Sequence, residues 1–151
     1  MIIGVIGASD ADNNLRRTAR EVGREIARRG AVLICGGLGG VMEATCQGAK
    51  EEGGLTIGIL PGFEKGDANP YVDIPIVTGL SYARNLIIVR TADGLIAVGG
   101  GYGTLSELAF ALKLNKPVVA INSWPVSDKI RQARDAKEAV SLIFEALGGE
   151  R

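Results

Sequence analysis

Short apolar runs rich in β-branched residues recur along the chain at residues 2–6, 31–35, 55–60, 74–77, 95–98 and 117–121, most of them closed by Gly or Pro. Runs that are apolar without alternation suit strands covered on both faces, the mark of a parallel sheet. Between them the apolar spacing becomes helical. Leu15, Ala19, Val22 and Ile26 are spaced four, three and four apart, which turns one stripe inward and leaves Arg16, Arg17, Arg20, Arg24 and Arg28 mainly on the other faces. That basic row reads as a solvated helix face rather than a phosphate site. Further helices are predicted over 41–52, 81–91 and 104–114. A last helix has Asp135 as N-cap, Glu138 completing a capping box and Gly148 as C-cap. Strands alternating with helices through short connections give right-handed βαβ units. The expectation is one α/β domain over residues 1–151, a doubly wound parallel sheet with helices on both faces.

Two stretches depart from the regular pattern. Residues 61–73 are longer than the other connections and dense in turn residues; they read either as a lid over the carboxyl edge of the sheet or as a mobile surface loop. In the third helix, Leu86-Ile87-Ile88-Val89 is apolar on every side. A helix that covers a sheet with one face and has another to hide predicts a subunit interface, hence a homodimer or homotetramer.

Composition narrows the chemistry. Lys+Arg and Asp+Glu both number 17, so net charge recruits neither nucleic acid nor an anionic membrane. There is no His, which removes Ser-His-Asp and Cys-His catalysis and every His-containing zinc site. No metal is expected. The N-terminal apolar run is too short for a signal peptide and lacks its basic leader, and no apolar stretch approaches membrane-spanning length, so a cytoplasmic location is expected. Cys35 and Cys46 fit no CxxC pattern and are expected to be reduced and buried. Glycine is the excess: 22 of 151 residues, about twice the usual share.

Those glycines gather in a pattern that occurs twice. Gly36-Gly37-Leu38-Gly39-Gly40-Val41-Met42-Glu43 and Gly100-Gly101-Tyr102-Gly103-Thr104-Leu105-Ser106-Glu107 are both GGxGxxxE, both after an apolar run and both leading into a helix. Glycine-rich strand-to-helix turns put bare N–H groups and a helix N-terminus at the sheet edge, a ready anion site, and two of them can converge at a topological switch point. A phosphate-bearing small molecule is the expected ligand. Neither GxGxxG nor a Walker A loop is present, so a dinucleotide or ATP-hydrolysing site is not supported. Glu107 also has a purely structural reading, in which Thr104-x-x-Glu107 is a capping box. Arg84 lies near the start of the third helix, where a cation faces the positive end of the dipole. An anionic partner would explain its place, and Asn85 beside it can hydrogen-bond a sugar or base.

With these motifs in view, Gly99-Gly100-Gly101-Tyr102-Gly103-Thr104-Leu105-Ser106-Glu107 resembles the PGGxGTxxE signature of the LONELY GUY (LOG) family of cytokinin-activating phosphoribohydrolases. Ala83-Arg84-Asn85 falls where that family has an Arg-Lys pair, and Cys35 through Met42 resembles its first glycine loop. The resemblance runs from Ile2 through Ser9 to Ile121 and implies a Rossmann-like nucleotide-binding domain. It looks closer to the branch that contains the molybdenum-cofactor carrier protein.

If the LOG activity carries over, water cleaves the N-glycosidic bond of a nucleoside 5′-monophosphate to free base and ribose 5-phosphate. Glu107 would hold the ribose and stabilise an oxocarbenium-like transition state, and Arg84 would secure the phosphate or assist the leaving base. The resemblance further implies a ligand and phosphate set of Ser9, Gly36, Gly37, Gly39, Asn85, Gly99, Gly100, Gly101, Tyr102, Gly103 and Thr104, with no cofactor required for catalysis. Three departures weigh on the activity: Gly99 for Pro, Ser106 for a second Glu, and Asn85 for Lys. In the carrier branch the same loops would hold the molybdenum cofactor, an organic molecule with a phosphate group, without cleavage. DNA binding, as in the related DNA-processing protein A, is disfavoured by the zero net charge.

Overall fold

Seven strands form one sheet in the order β4-β3-β2-β1-β5-β6-β7, and every neighbouring pair is parallel. The computed structural model of the chain describes residues 1–148. Its strands are β1 (Ile2–Gly7), β2 (Val32–Cys35), β3 (Thr56–Leu60), β4 (Ile74–Val77), β5 (Gly94–Val98), β6 (Val118–Ile121) and β7 (Ile130–Gln132). Its α-helices are α1 (Asn13–Arg28), α2 (Val41–Glu51), α3 (Arg84–Thr91), α4 (Tyr102–Lys113) and α5 (Ala136–Ala146). The predicted doubly wound α/β architecture is what the chain adopts.

Two buried layers flank the sheet. On one face α1 packs between α2 and α5, closing over Val5, Leu33, Cys35, Ile96 and Val98. On the other, α3 and α4 cover Ile6, Ile34, Ile59, Leu95 and Ala97. β5 is buried along its whole length, and each of its large aliphatic side chains contributes roughly 1.5–3 kcal/mol through burial. The α1 stripe behaves as its spacing predicts: Ala19, Val22 and Ile26 are fully buried. Helix α1 approaches α2 so closely that side chains are excluded at the crossing. A Cβ on Gly23 would lie 1.9 Å from the Thr45 carbonyl oxygen, and one on Gly48 1.8 Å from that of Arg20. The outer arginines are held by carboxylates: Arg20 and Arg24 pair with Glu51, and Arg28 with Glu25 and Glu52. The basic row is a solvated face, as its sequence suggests.

Several local expectations need correction. The sequence shows six strands, and the seventh, β7, escapes notice because only Ile130 of its three residues is buried. β4 is not covered on both faces: as an edge strand it leaves Ile74, Ile76 and Val77 exposed. The third helix begins at Arg84, after a 3₁₀ turn at Ser81–Ala83, and within it Ile88 and Val89 are buried while Leu86 and Ile87 are half-buried. Asp135 caps α5 by accepting from the Glu138 N–H at 2.9 Å, yet the Glu138 carboxylate accepts from Arg134 N–H, one residue outside a capping box. Gly148 closes α5 with φ of 71°, its N–H donating to Glu145 at 3.0 Å. Cys35 and Cys46 are both buried free thiols, not joined by a disulfide, their Sγ atoms in hydrogen-bond contact at 3.5 Å.

The 61–73 connection is tied down at its far end. Asn69, 8% exposed, donates from its backbone N–H to Gly37 at 2.9 Å and from Nδ2 to Leu38 at 2.9 Å, which anchors the segment to the loop after β2. Its longest exposed run is 63–67.

Candidate functional site

The chain winds outward from β1 to β4 and then crosses back to β5 on the other side of β1, so the loops after β1 and β5 diverge at a switch point. A cleft of about 590 Å³ opens there. Gly7 to Asp10 line it after β1, Gly36 and Leu38 after β2, Pro61 after β3, and Gly101 to Thr104 after β5. Arg84, Asn85 and Glu107 line it from α3 and α4.

The two matching glycine loops are not equivalent. Helices α1 and α5, away from them, carry Asp12 and Asp135 as side-chain caps; α2 and α4 start from Gly40 and Gly101 and have none. The first loop nonetheless closes on protein. Val41 N–H donates to Ala8 at 3.0 Å, and Gly40 lies against the backbone of Ala8 and Ser9. The second loop stays open, and a Cβ on Gly101 or Gly103 would meet nothing within 4 Å. The N–H groups of a helix's first turn have no partner within the helix, and the residues that carry those of α4, Tyr102, Gly103 and Thr104, line the cleft.

The predicted residues divide accordingly. Ser9, Gly36, Arg84, Asn85, Gly101, Tyr102, Gly103, Thr104 and Glu107 line the cleft. Gly37, Gly39, Gly99 and Gly100 lie off its lining. Gly37 packs against Gly58 and Leu60, Gly39 faces the Ser9 carbonyl, and Gly99 rests on Leu15. Gly100, with φ of 130°, sits over Thr104, where a Cβ would fall 2.5 Å from the threonine Cβ. Asp10, Tyr82 and Met42 join the lining without having been singled out in the sequence. Of these only Tyr82 carried a legible signal, an aromatic residue two positions before Arg84; the structure leaves it 82% exposed.

Thr104-x-x-Glu107 forms no capping box, because α4 starts two residues earlier, at Tyr102. Glu107 therefore falls inside the helix, 7% exposed, with its carboxyl facing the cleft. Burial pushes its pKa up to about 8, with the nearby Arg84 charge only partly opposing. Its counterpart in the first loop, Glu43, is half-buried in the first turn of α2 and takes no part in the lining.

Arg84 is 8% exposed and held by backbone rather than by an anion of the protein. Its Nε donates to the Ile59 carbonyl at 2.9 Å, Nη2 to Gly36 at 3.4 Å and Nη1 to Asn85 Oδ1. The ends of β2 and β3 thus supply the partners that its disfavoured helix position demanded. Burial draws its pKa below the usual arginine value, against the pull of Glu107. Asn85, 3% exposed, donates from Nδ2 to Ser106 Oγ at 3.4 Å, and Ser106 Oγ donates in turn to Gly103 at 2.7 Å. Among the described residues no cluster of three His, Cys, Asp or Glu side chains could hold a metal, and no helix is long and apolar enough to cross a membrane.

Known proteins share this architecture along nearly its whole length. The molybdenum cofactor binding protein of Rippkaea orientalis superposes with a TM-score of 0.92 at 40% identity, covering 97% of this chain and 96% of that one. The molybdenum cofactor carrier protein of Chlamydomonas reinhardtii gives 0.89 at 39% identity, over 98% and 99%. A cytokinin riboside 5′-monophosphate phosphoribohydrolase of Mycobacterium tuberculosis is 34% identical over 134 residues, 82% of this chain and 71% of that protein. The chain belongs to the SLOG cluster4 family, whose model matches residues 1–146.

Proposed function

We propose that the cleft binds a phosphate-bearing, nucleotide-like small molecule, its phosphate seated at the start of α4, and that the protein holds this molecule without cleaving it. The observation that carries the reading is the open, uncapped start of α4 in the same cleft as Arg84 and Glu107. Backbone N–H groups and a helix N-terminus favour an anion, and Arg84 adds charge behind them. Glu107, with a pKa near 8, is mostly protonated at neutral pH. A neutral carboxyl donates a hydrogen bond to the ligand but offers little charge to an oxocarbenium centre. Asn85 brings no second cation. The similarity to molybdenum cofactor carriers at about 40% identity supports a carrier whose cargo is a phosphorylated organic cofactor.

Hydrolysis of a nucleoside 5′-monophosphate is the second reading, favoured by Glu107 and Arg84 sharing one cleft and by the similarity to phosphoribohydrolases. In that reaction water adds across the N-glycosidic bond while ionised Glu107 stabilises the ribosyl cation. The two readings separate in one assay. The pure protein is incubated with a panel of nucleoside monophosphates while free base is followed and binding is measured by calorimetry. Tight binding of a phosphorylated heterocycle without base release is expected. Base release that Glu107→Gln abolishes would establish the hydrolase and sink the carrier.

A further inference from the structure

Tyr102 and Trp124 form a stacked pair at the open end of α4, ring centroids 6.1 Å apart and planes inclined by 21°. Trp124 is half-buried against the core on the α3 and α4 face of the sheet. From there its Nε1 donates to the carbonyl of Gly101, at 3.0 Å, and that carbonyl also accepts from Leu105 N–H at 3.1 Å. In a trans peptide the C=O and the following N–H point in opposite directions. Pinning the Gly101 carbonyl toward Trp124 therefore fixes the Tyr102 N–H away from it, which sets one donor of the anion loop.

The same indole carries the Tyr102 ring. Tyr102 lines the cleft and is 83% exposed, so it contributes little to the core. One face of its ring is turned to Trp124, and the rest of the ring is open to solvent. A ring already held by a second ring loses little freedom when a third stacks on it, and aromatic side chains take bases by their π-faces with little regard to base identity.

We infer that Trp124 is a positioning residue for the glycine loop and for Tyr102, and that the free face of Tyr102 is the subsite for the ligand's planar heterocycle. This rests on the reading of the cleft as a phosphate-ligand site and adds what the site recognises beyond the phosphate. A nucleobase and a fused-ring cofactor head group share the flat aromatic surface that Tyr102 would take.

The test uses three probes on the full-length protein: adenosine 5′-monophosphate, a pterin monophosphate, and ribose 5-phosphate, which has the phosphate but no ring. Trp124 is the sole tryptophan, so its emission reads the stack directly. Ring-bearing probes should bind more tightly than ribose 5-phosphate and shift that emission, and the tighter of the two names the ring. Tyr102→Leu, which keeps the backbone N–H and loses the ring, should weaken the ring-bearing probes about tenfold more than it weakens ribose 5-phosphate, and Tyr102→Phe should recover that difference. Trp124→Phe, which keeps a ring and loses the N–H, should weaken all probes by about fivefold. If Tyr102→Leu binds the ring-bearing probes as tightly as wild type, the platform is overturned while the phosphate site stands. If wild type binds no probe, the reading of the cleft falls, and the platform with it.

Discussion

Arg84 and Glu107 line the same cleft, yet no ion pair joins them among the described residues: the guanidinium is turned onto the carbonyls of Ile59 and Gly36. A buried carboxyl without a paired cation keeps its proton more readily. This separates the site's two charged groups into a fixed cation and a group that titrates near physiological pH.

That titration has a thermodynamic signature. Glu107 rises from 4.5 to about 8 on folding, so between those values the folded chain binds more protons than the unfolded one. Its contribution is fully present below about pH 4.5 and is lost as pH rises through 8, at up to about 1.4 kcal/mol per pH unit. Denaturant titrations from pH 5 to 9 should show a downward slope that Glu107→Gln flattens. An unchanged slope in the variant would mean that Glu107 is ionised throughout.

Anion binding should follow the same group. As Glu107 loses its proton near pH 8, a carboxylate faces the phosphate, so affinity for ribose 5-phosphate should fall between pH 7 and 9. The phosphate keeps its second negative charge across that range. In Glu107→Gln the affinity should stay level over the same range, as read by calorimetry.

Removing the cation acts on the fold as well as the site. Arg84→Met leaves the carbonyls of Ile59 and Gly36 without their buried donor, which should cost about 2–4 kcal/mol in denaturant unfolding. Arg84→Lys recovers only part of this, because one ammonium cannot reproduce the fork that spans β2 and β3.

The glycines of the second loop divide into two kinds. A Cβ on Gly101 meets nothing within 4 Å, so Gly101→Ala should hold the melting temperature, and Gly101→Leu, which carries its bulk out from that open position, should lower affinity for a phosphate ligand more than about tenfold. Unchanged affinity would move the anion site elsewhere. Gly100→Ala, forced to a φ of 130° over Thr104, should lower the melting temperature itself.

Stability away from the cleft is concentrated where α1 crosses α2. Gly48→Ala drives a methyl into the Arg20 carbonyl and should cost about 3 kcal/mol or more. Gly66→Ala, in open space on the 61–73 connection, is the matched control and should be neutral.

What could be read in the sequence depended on the range of the forces involved. The strand ends, the open α4 loop and the misfit of Arg84 with its helix dipole are local patterns, and each pointed to the cleft. The partners of Arg84 were not legible, since Ile59 and Gly36 reach it only through the pairing of β2 with β3. The likeness of the two GGxGxxxE motifs misled in part. Ala8, thirty-three residues before Val41, closes the first loop, and nothing in the motif announces that contact. Thr104 looked like a helix cap because hydroxyls are good caps, but the glycine before Tyr102 let the helix begin sooner.

The crossover from β4 back to β5 has a consequence for how the molecule comes apart. Residues between 5 and 61 supply one part of the cleft lining and residues between 81 and 107 the rest, so neither half of the chain carries a site alone. A ligand in the cleft would bridge the seam between β1 and β5. Occupancy should slow amide exchange along that seam before it slows exchange at the β4 and β7 edges.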